Sequence, residues 1–339
     1  MKEDLPCHKT KLDSNVLRRL RVRTGMWPGT RVAEGSHIMK LNTGEDPAGF
    51  FWCVQTQEEV RDIQNFAATF KQSTYVFSSP AKLAVYSDNF NESEKTLVES
   101  LASYYVEEIQ LVHPRGPYFL AGTCVGTETI YEIARQLSSR GFEVKLLLLV
   151  EPVHAFEVRS WVHAFWGWLF LVQSAFIYNV KQVLELPPSN TIRGFYKIIR
   201  KAFRRLPSEA SLAFNANSSR ASVTKSTYSF VRRTGGVSVF RGSLDDYAVI
   251  GGQLYLFPQY AGRVHLIFGR SSPFAFVTVK MLRRYIESYW KQRALGGLEI
   301  QIIPGSHEVM GTSGFGEAVA AAVNRTLFDQ TASSPDAEK

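Results

Sequence analysis

Pro117-Tyr118-Phe119-Leu120-Ala121-Gly122-Thr123-Cys124-Val125-Gly126-Thr127-Glu128-Thr129-Ile130-Tyr131-Glu132-Ile133-Ala134 decides how this chain folds. An apolar, aromatic run leads in, Gly122 and Gly126 bracket one nucleophilic side chain, and Ile130, Ile133, Ala134 and Leu137 recur at helical spacing. The pattern reads as strand, sharp turn, helix. Such a turn holds its central residue in a strained conformation, and it needs small neighbours where strand and helix backbones approach. Cys124 is therefore a candidate nucleophile. Free cysteine is also one of the most buried residue types, so the stretch alone leaves a structural cysteine open.

Upstream of the turn, Ala48 to Val54 is an apolar run too short for a helix and is expected as a buried strand. A loop at Gln55-Thr56-Gln57 leads into a helix reaching about Lys71. Ser73 to Phe77 is the next strand. Leu97, Leu101, Tyr104, Tyr105, Ile109 and Val112 mark a helix from Ser93 to His113, stopped by Pro114-Arg115-Gly116-Pro117. Downstream, Gly141 precedes a strongly apolar strand from Val144 to Val150, closed by Glu151-Pro152. Alternating strands and helices of this kind imply an α/β fold, with a mostly parallel sheet covered by helices on both faces.

The alternation stops after Pro152 and resumes with a strand at Gly262 to Phe268. A helix over about Ala275 to Arg293, a strand at Leu298 to Ile303 and a last helix from about Phe315 to Leu327 follow. The organisation expected is an N-terminal extension (1–36, a short helix and a loop), a first core part (37–152) and a largely helical insertion (153–250). A second core part (251–329) and a disordered tail (330–339) complete it.

Composition narrows the function classes. Hydrophobic residues at 45% and aromatics at 13% are enough for a sizeable core and for apolar grooves beyond it. The net charge of +8 favours an acidic partner, but no nucleic-acid motif is present. Cys7, Cys53 and Cys124 are odd in number and widely spaced, which argues against a disulfide framework or a C-x-x-C metal site. No metal is expected, and a reducing cytosol suits three free thiols. The charged N-terminus from Met1 to Arg23 lacks the apolar region of a signal peptide.

Reactive groups in open α/β sheets gather on loops beyond the carboxyl ends of strands. Three such loops carry Cys124, Glu151 and His307, the last in Ile302-Ile303-Pro304-Gly305-Ser306-His307-Glu308. Nucleophile, acid, base is the chain order of the α/β-hydrolases. In that arrangement His307 takes the thiol proton and later protonates a leaving group, Glu151 holds the imidazole tautomer, and Cys124 attacks a carbonyl. His113, His154 and His265 are rival bases. His113 ends a helix ahead of the turn's strand, His265 lies within a strand, and His154 sits where the chain enters the insertion. The later strand end, Phe268-Gly269-Arg270-Ser271-Ser272, offers no carboxylate, which sharpens Glu151 as the acid over a capping or surface carboxylate.

At this point the chain resembles the thioesterase domains that terminate nonribosomal peptide and polyketide synthesis, as a cysteine-nucleophile variant of an α/β-hydrolase family. The resemblance covers about residues 40 to 328. It is carried by Gly116 to Gly122, the turn, Tyr131 to Leu137, Gly141 to Glu151, Tyr260-Ala261-Gly262-Arg263-Val264 and Pro304-Gly305-Ser306-His307. It implies transfer of an acyl or peptidyl group from the phosphopantetheine thioester of an acidic carrier protein to the nucleophile, then release to water or to an internal amine or hydroxyl. No bound cofactor is implied beyond that carrier-borne arm. The usual Ser is Cys124 here, the usual Asp is Glu151, and the usual Gly-rich oxyanion loop is Gln55-Thr56-Gln57. Backbone N–H groups of Val125 and Thr56 are the implied oxyanion donors.

Trp161 to Val180 is long and apolar enough to span a bilayer. His163, Gln173, Ser174 and Asn179 interrupt it, and the sheet needs both its halves in one compartment. A lid over the acyl channel, with Trp161, Phe165 and Trp168 lining it, is the expectation. The basic, amphipathic segment Arg193 to Arg205 is either a solvated helix face or a carrier-docking surface. Two other functions stay open: an editing thioesterase that clears stalled carriers, and a catalytically silent hydrolase-fold interaction protein.

Overall fold

The computed structural model describes residues 12–79, 94–152, 155–158, 228–234, 237–242, 255–270, 280–304 and 315–332. In chain order, α1 (Ser14–Thr24), β1 (Thr30–Arg31), β2 (Met39–Lys40), β3 (Asp46–Val54), α2 (Gln57–Ala67) and β4 (Gln72–Ser78) come first. Then follow α3 (Glu94–Val112), β5 (Tyr118–Thr123), α4 (Gly126–Ser139) and β6 (Val144–Val150). Beyond β7 (Ala155–Val158), β8 (Tyr228–Thr234) and β9 (Val237–Gly242), the chain continues with β10 (Val264–Gly269), α5 (Lys280–Lys291), β11 (Leu298–Ile303) and α6 (Phe315–Ala332).

Among the described residues, eight strands form one sheet in the order β1-β2-β4-β3-β5-β6-β10-β11. Only β2 runs against the others; from β4 to β11 every pairing is parallel. This is the mostly parallel sheet that the alternation of elements implies, within the α/β-hydrolase fold that the resemblance implies. Leu146, Leu147, Leu148, Leu149 and Val150 of β6 are all buried. Burying each is worth roughly 2 kcal/mol relative to exposure, which fixes β6 in the middle of the sheet. Along β3 the side chains alternate. Phe50, Trp52 and Val54 join Val60 and Ile63 of α2 and Val319 and Val323 of α6 on one face. The other face meets α3 and α4. The Phe77 ring lies 4.4 Å from Tyr105, and a Cβ on Gly122 would come within 2.6 Å of the Ile130 side chain.

Two sequence expectations differ from this structure. The boundary after residue 36 falls inside a ladder, because β1 pairs with β2 and β2 with β4. Two-residue strands carry no periodicity from which they could be read. What holds them is a buried carboxylate: Glu108 of α3 accepts from Ser36 Oγ at 3.0 Å and from the His37 N–H, while Tyr104 OH donates to its Oε1 at 2.6 Å. The disordered tail expected from residue 330 overlaps helix at its start, since α6 runs to Ala332.

In the insertion, His154–Leu254 forms a separate compact unit. Its described residues form an antiparallel sheet ordered β7-β9-β8. The stretches expected as helices, 161–180 with Trp161, Phe165 and Trp168 and 193–205, lie outside the described residues.

Candidate active site

The carboxyl ends of β3, β5 and β6, neighbours in the sheet, carry Thr56, Cys124 and Glu151. Thr123 and Val150 are register partners, so Cys124 and Glu151 leave adjacent strands at the same level. Both have left-handed backbone, with φ 50° at Cys124 and 49° at Glu151. A side chain costs about 1–2 kcal/mol in that region, and the surrounding structure enforces it. The Cys124 N–H donates to Val150 O at 2.9 Å, while the Thr127 N–H donates to Cys124 O at 3.2 Å.

The two glycines flanking Cys124 are there for space. A Cβ on Gly126 would lie 2.2 Å from Cys53 O, and one on Gly122 would lie 2.8 Å from Gly126 O. Helix α4 starts at Gly126 and so points its amino end at the thiol.

The thiol is almost wholly buried, 1% exposed. Burial pushes its pKa well up, the charge of Glu59 adds to this, and Glu151 and Glu128 act in the same direction. The Val125 N–H, hydrogen-bonded to the sulfur, opposes them. The resting group is therefore a neutral thiol that needs a base before it can attack.

Glu151 is fully buried. Its N–H donates to Ile267 O at 2.8 Å, and its Oε1 accepts from the Gly269 N–H at 2.8 Å. The strand end without a carboxylate thus supplies the donor that holds the carboxylate of the neighbouring strand. His307 lies outside the described residues, three positions beyond Pro304, the last described residue after β11. Of the rival bases, His113 meets the Tyr118 ring at the start of β5, opposite the end that carries Cys124. His265 is buried in β10 with Nδ1 3.2 Å from Glu299 of the edge strand β11, and burial lowers its pKa. His154 is not among the described residues.

One buried group beside the thiol was missed in the sequence. Glu59, in the first turn of α2, is 7% exposed; its Oε2 accepts from Thr123 Oγ1 at 2.7 Å and from the Gln55 N–H at 3.1 Å. The Glu59 N–H donates to Thr56 Oγ1 at 3.2 Å. Thr56-Gln57-Glu58-Glu59 is a capping-box sequence, and that signal marks a carboxylate folded back over the Gln55-Thr56 loop. Among the described residues no group of three or more His, Cys, Asp or Glu side chains is placed to hold a metal.

A family model described as thioesterase domain matches residues 64–327. Polyketide synthase PksR of Bacillus subtilis (strain 168) is 28% identical over 125 residues, 36% of this chain and 5% of its own. N-(5-amino-5-carboxypentanoyl)-L-cysteinyl-D-valine synthase of Amycolatopsis lactamdurans is 44% identical over 62 residues, 18% of this chain and 2% of its own. The matched part is thus a small fraction of either synthase. Among solved structures, the NocB thioesterase domain in covalent complex with a fluorophosphonate nocardicin G analog is 19% identical, with a TM-score of 0.45 over 86% of this chain and 99% of the other.

Proposed function

The chain belongs to the thioesterase domain family, and on that footing we propose that it releases acyl or peptidyl chains by way of a Cys124 thioester. The carrying observation is the left-handed turn at Cys124, which sets a thiol between the end of β5 and the amino end of α4. A carrier protein's phosphopantetheine thioester is the proposed substrate, in keeping with the synthases that the chain resembles in part.

In the proposed sequence His307 takes the thiol proton and Sγ attacks the thioester carbonyl. The oxyanion that forms is held by the Val125 and Thr56 N–H groups. As the intermediate collapses, the carbon–sulfur bond to the pantetheine arm breaks. The departing sulfur receives the proton from His307, leaving the acyl group on Cys124. Glu151 orients the imidazole and balances its charge. A water, amine or hydroxyl then attacks with His307 as base, and Cys124 leaves as the thiol.

Sulfur at this position keeps the acyl group as activated as it was on the carrier. That favours capture by an internal amine or hydroxyl, giving a lactam, lactone or amide, alongside hydrolysis.

Intact-protein mass spectrometry with an acyl-pantetheine thioester tests the reading. An acyl adduct that maps to Cys124 and disappears in Cys124→Ala is the expected result. No adduct and no turnover from any carrier-bound acyl group would favour a catalytically silent interaction protein. Indiscriminate hydrolysis of short acyl groups from many carriers would favour an editing role.

A further inference from the structure

Glu59 has no part in the proton transfers just described, yet it touches both halves of the site. Its Oε2 accepts from Thr123 Oγ1, on the strand that ends in Cys124, and from the Gln55 N–H, on the loop that carries Thr56. In the usual capping box the carboxylate returns to the N–H of the capping residue itself; here it takes the N–H one residue earlier. We propose that Glu59 is a positioning residue of this site, tying the Thr56 loop to the Cys124 strand and setting the charge beside the thiol. The proposal rests on the thioesterase reading for its use in catalysis, but its physical content does not depend on turnover.

The geometry explains why a side chain with a carboxyl or amide oxygen is needed. Two donors on neighbouring strand ends, a backbone N–H and a hydroxyl, converge on one oxygen, and the other oxygen lies within reach of Thr56 Oγ1 at 3.5 Å. Only an acidic or amide side chain offers an acceptor of that capacity. Without it the loop bearing one oxyanion donor and the turn bearing the nucleophile lose their direct link, and donors displaced by an ångström no longer stabilise the developing charge.

The charge has its own effect. Burial, with a smaller push from Asp62 of the same helix, raises the Glu59 pKa to about 7 against the favourable hydrogen bonds from Thr123, Gln55 and Thr56. From β3 Cys53 faces it, and from the β5 turn Cys124; both thiols are raised by its charge. Cys124 also feels Glu151 and Glu128. Near neutral pH Glu59 thus passes from a neutral clamp to a charged one, and the charged form opposes both the thiolate and an oxyanion.

The full-length protein is tested in two ways. Cys124 alkylation by iodoacetamide, followed by peptide mapping from pH 6 to 9, needs no substrate turnover. In the wild type its logarithm should rise with pH and flatten near pH 7 as Glu59 ionises. Glu59→Gln should remove the break and alkylate about tenfold faster at pH 8, the size expected for a neighbouring charge. Single-turnover acylation of Cys124 by an acyl-pantetheine thioester forms the second arm. Glu59→Ala should lower the saturating rate at least about tenfold with little change in the half-saturating concentration, and Glu59→Gln should restore most of it.

A Glu59→Gln alkylation profile superimposable on that of the wild type overturns the proposal. So does a folded Glu59→Ala variant that acylates at the wild-type rate. A wild type that shows the alkylation break but never forms an acyl-enzyme overturns the thioesterase reading and leaves the control of the thiol by Glu59 supported.

Discussion

Cys124 and Glu151 end adjacent parallel strands with the same left-handed backbone, φ 50° and 49°. Two non-glycine residues in that region, side by side, mean that the sheet's carboxyl edge holds strain at the point where the chemistry is proposed. At Cys124 the strain can be measured without touching catalysis. Between two inactive variants, Cys124→Gly should be more stable than Cys124→Ala by about 1 kcal/mol, the reverse of the usual order, because glycine alone takes that conformation freely. Thermal or urea unfolding of the pair checks this; an equal or more stable alanine variant would remove the strain from the account.

Glu151 is held by the Gly269 N–H in a buried setting. Glu151→Gln keeps an acceptor there but loses the charge that a histidinium partner requires, so acyl transfer should fall by about a hundredfold or more with the unfolding midpoint little changed. Glu151→Ala should lose the same activity. It should also lose about 1–3 kcal/mol of stability, because the Gly269 N–H is left buried without its acceptor. Steady-state kinetics and denaturation of the two variants separate the roles.

Gly126→Ala brings a methyl group to 2.2 Å from Cys53 O, a contact that backbone must move to relieve. Displacing α4 from β3 shifts the Val125 N–H as well. The variant should lose about 1–3 kcal/mol of stability and a larger share of its acylation rate than of its thioester binding. A crystal structure and single-turnover kinetics are the checks.

The sequence was legible where elements are long and buried. From β3 through β6, and again at β10 and β11, apolar runs and helical spacings matched the observed elements to within a few residues. At the site, Cys124 and Glu151 could be placed beyond the carboxyl ends of successive strands from the alternation of elements, and the sheet order makes those strands neighbours. Glu59 was passed over because its signal, a capping box, reads as a helix start; only the sheet order brings that helix start beside Thr123. The strands β1 and β2 were invisible since two residues have no period, and their anchor, Glu108, lies on a distant helix. The insertion's antiparallel strands were missed for a related reason: Tyr228–Thr234 and Val237–Gly242 mix apolar with polar and charged residues and have no continuous apolar run like that of β6.

The buried carboxyl of Glu59 makes stability itself depend on pH. Its ordinary value of 4.5 rises to about 7 in the fold. Below pH 4.5 it is protonated in folded and unfolded chains alike. Between there and about 7 the unfolded chain gives up a proton that the folded chain keeps, so stability falls as pH rises, on the order of 3 kcal/mol in all. Glu59→Gln should therefore gain stability relative to the wild type as pH is raised from 5 to 8. A constant difference across that range in urea titrations would contradict the assignment.

Cys124→Ser replaces a thioester intermediate with an ordinary ester. The acyl-enzyme should then persist longer, and the ratio of cyclised or aminolysed product to hydrolysed product should fall, because a weaker internal nucleophile gains less from a less activated carbonyl. Product analysis by mass spectrometry reads both. Unchanged rate and product would show that sulfur is incidental here.

The strands that precede the recognised domain bear on how portable it is. The family match starts at residue 64, yet β3 runs from Asp46 to Val54 in the middle of the sheet, and β2 and β1 extend its edge. A segment spliced at the recognised boundary would leave β4 and β5 on either side of a gap and would lose Thr56 and Glu59. The transplantable unit has to start at or before α1, so in any chimaera built from this domain the junction belongs upstream of residue 14. Linkers grafted closer in would be competing with the sheet for its own strands.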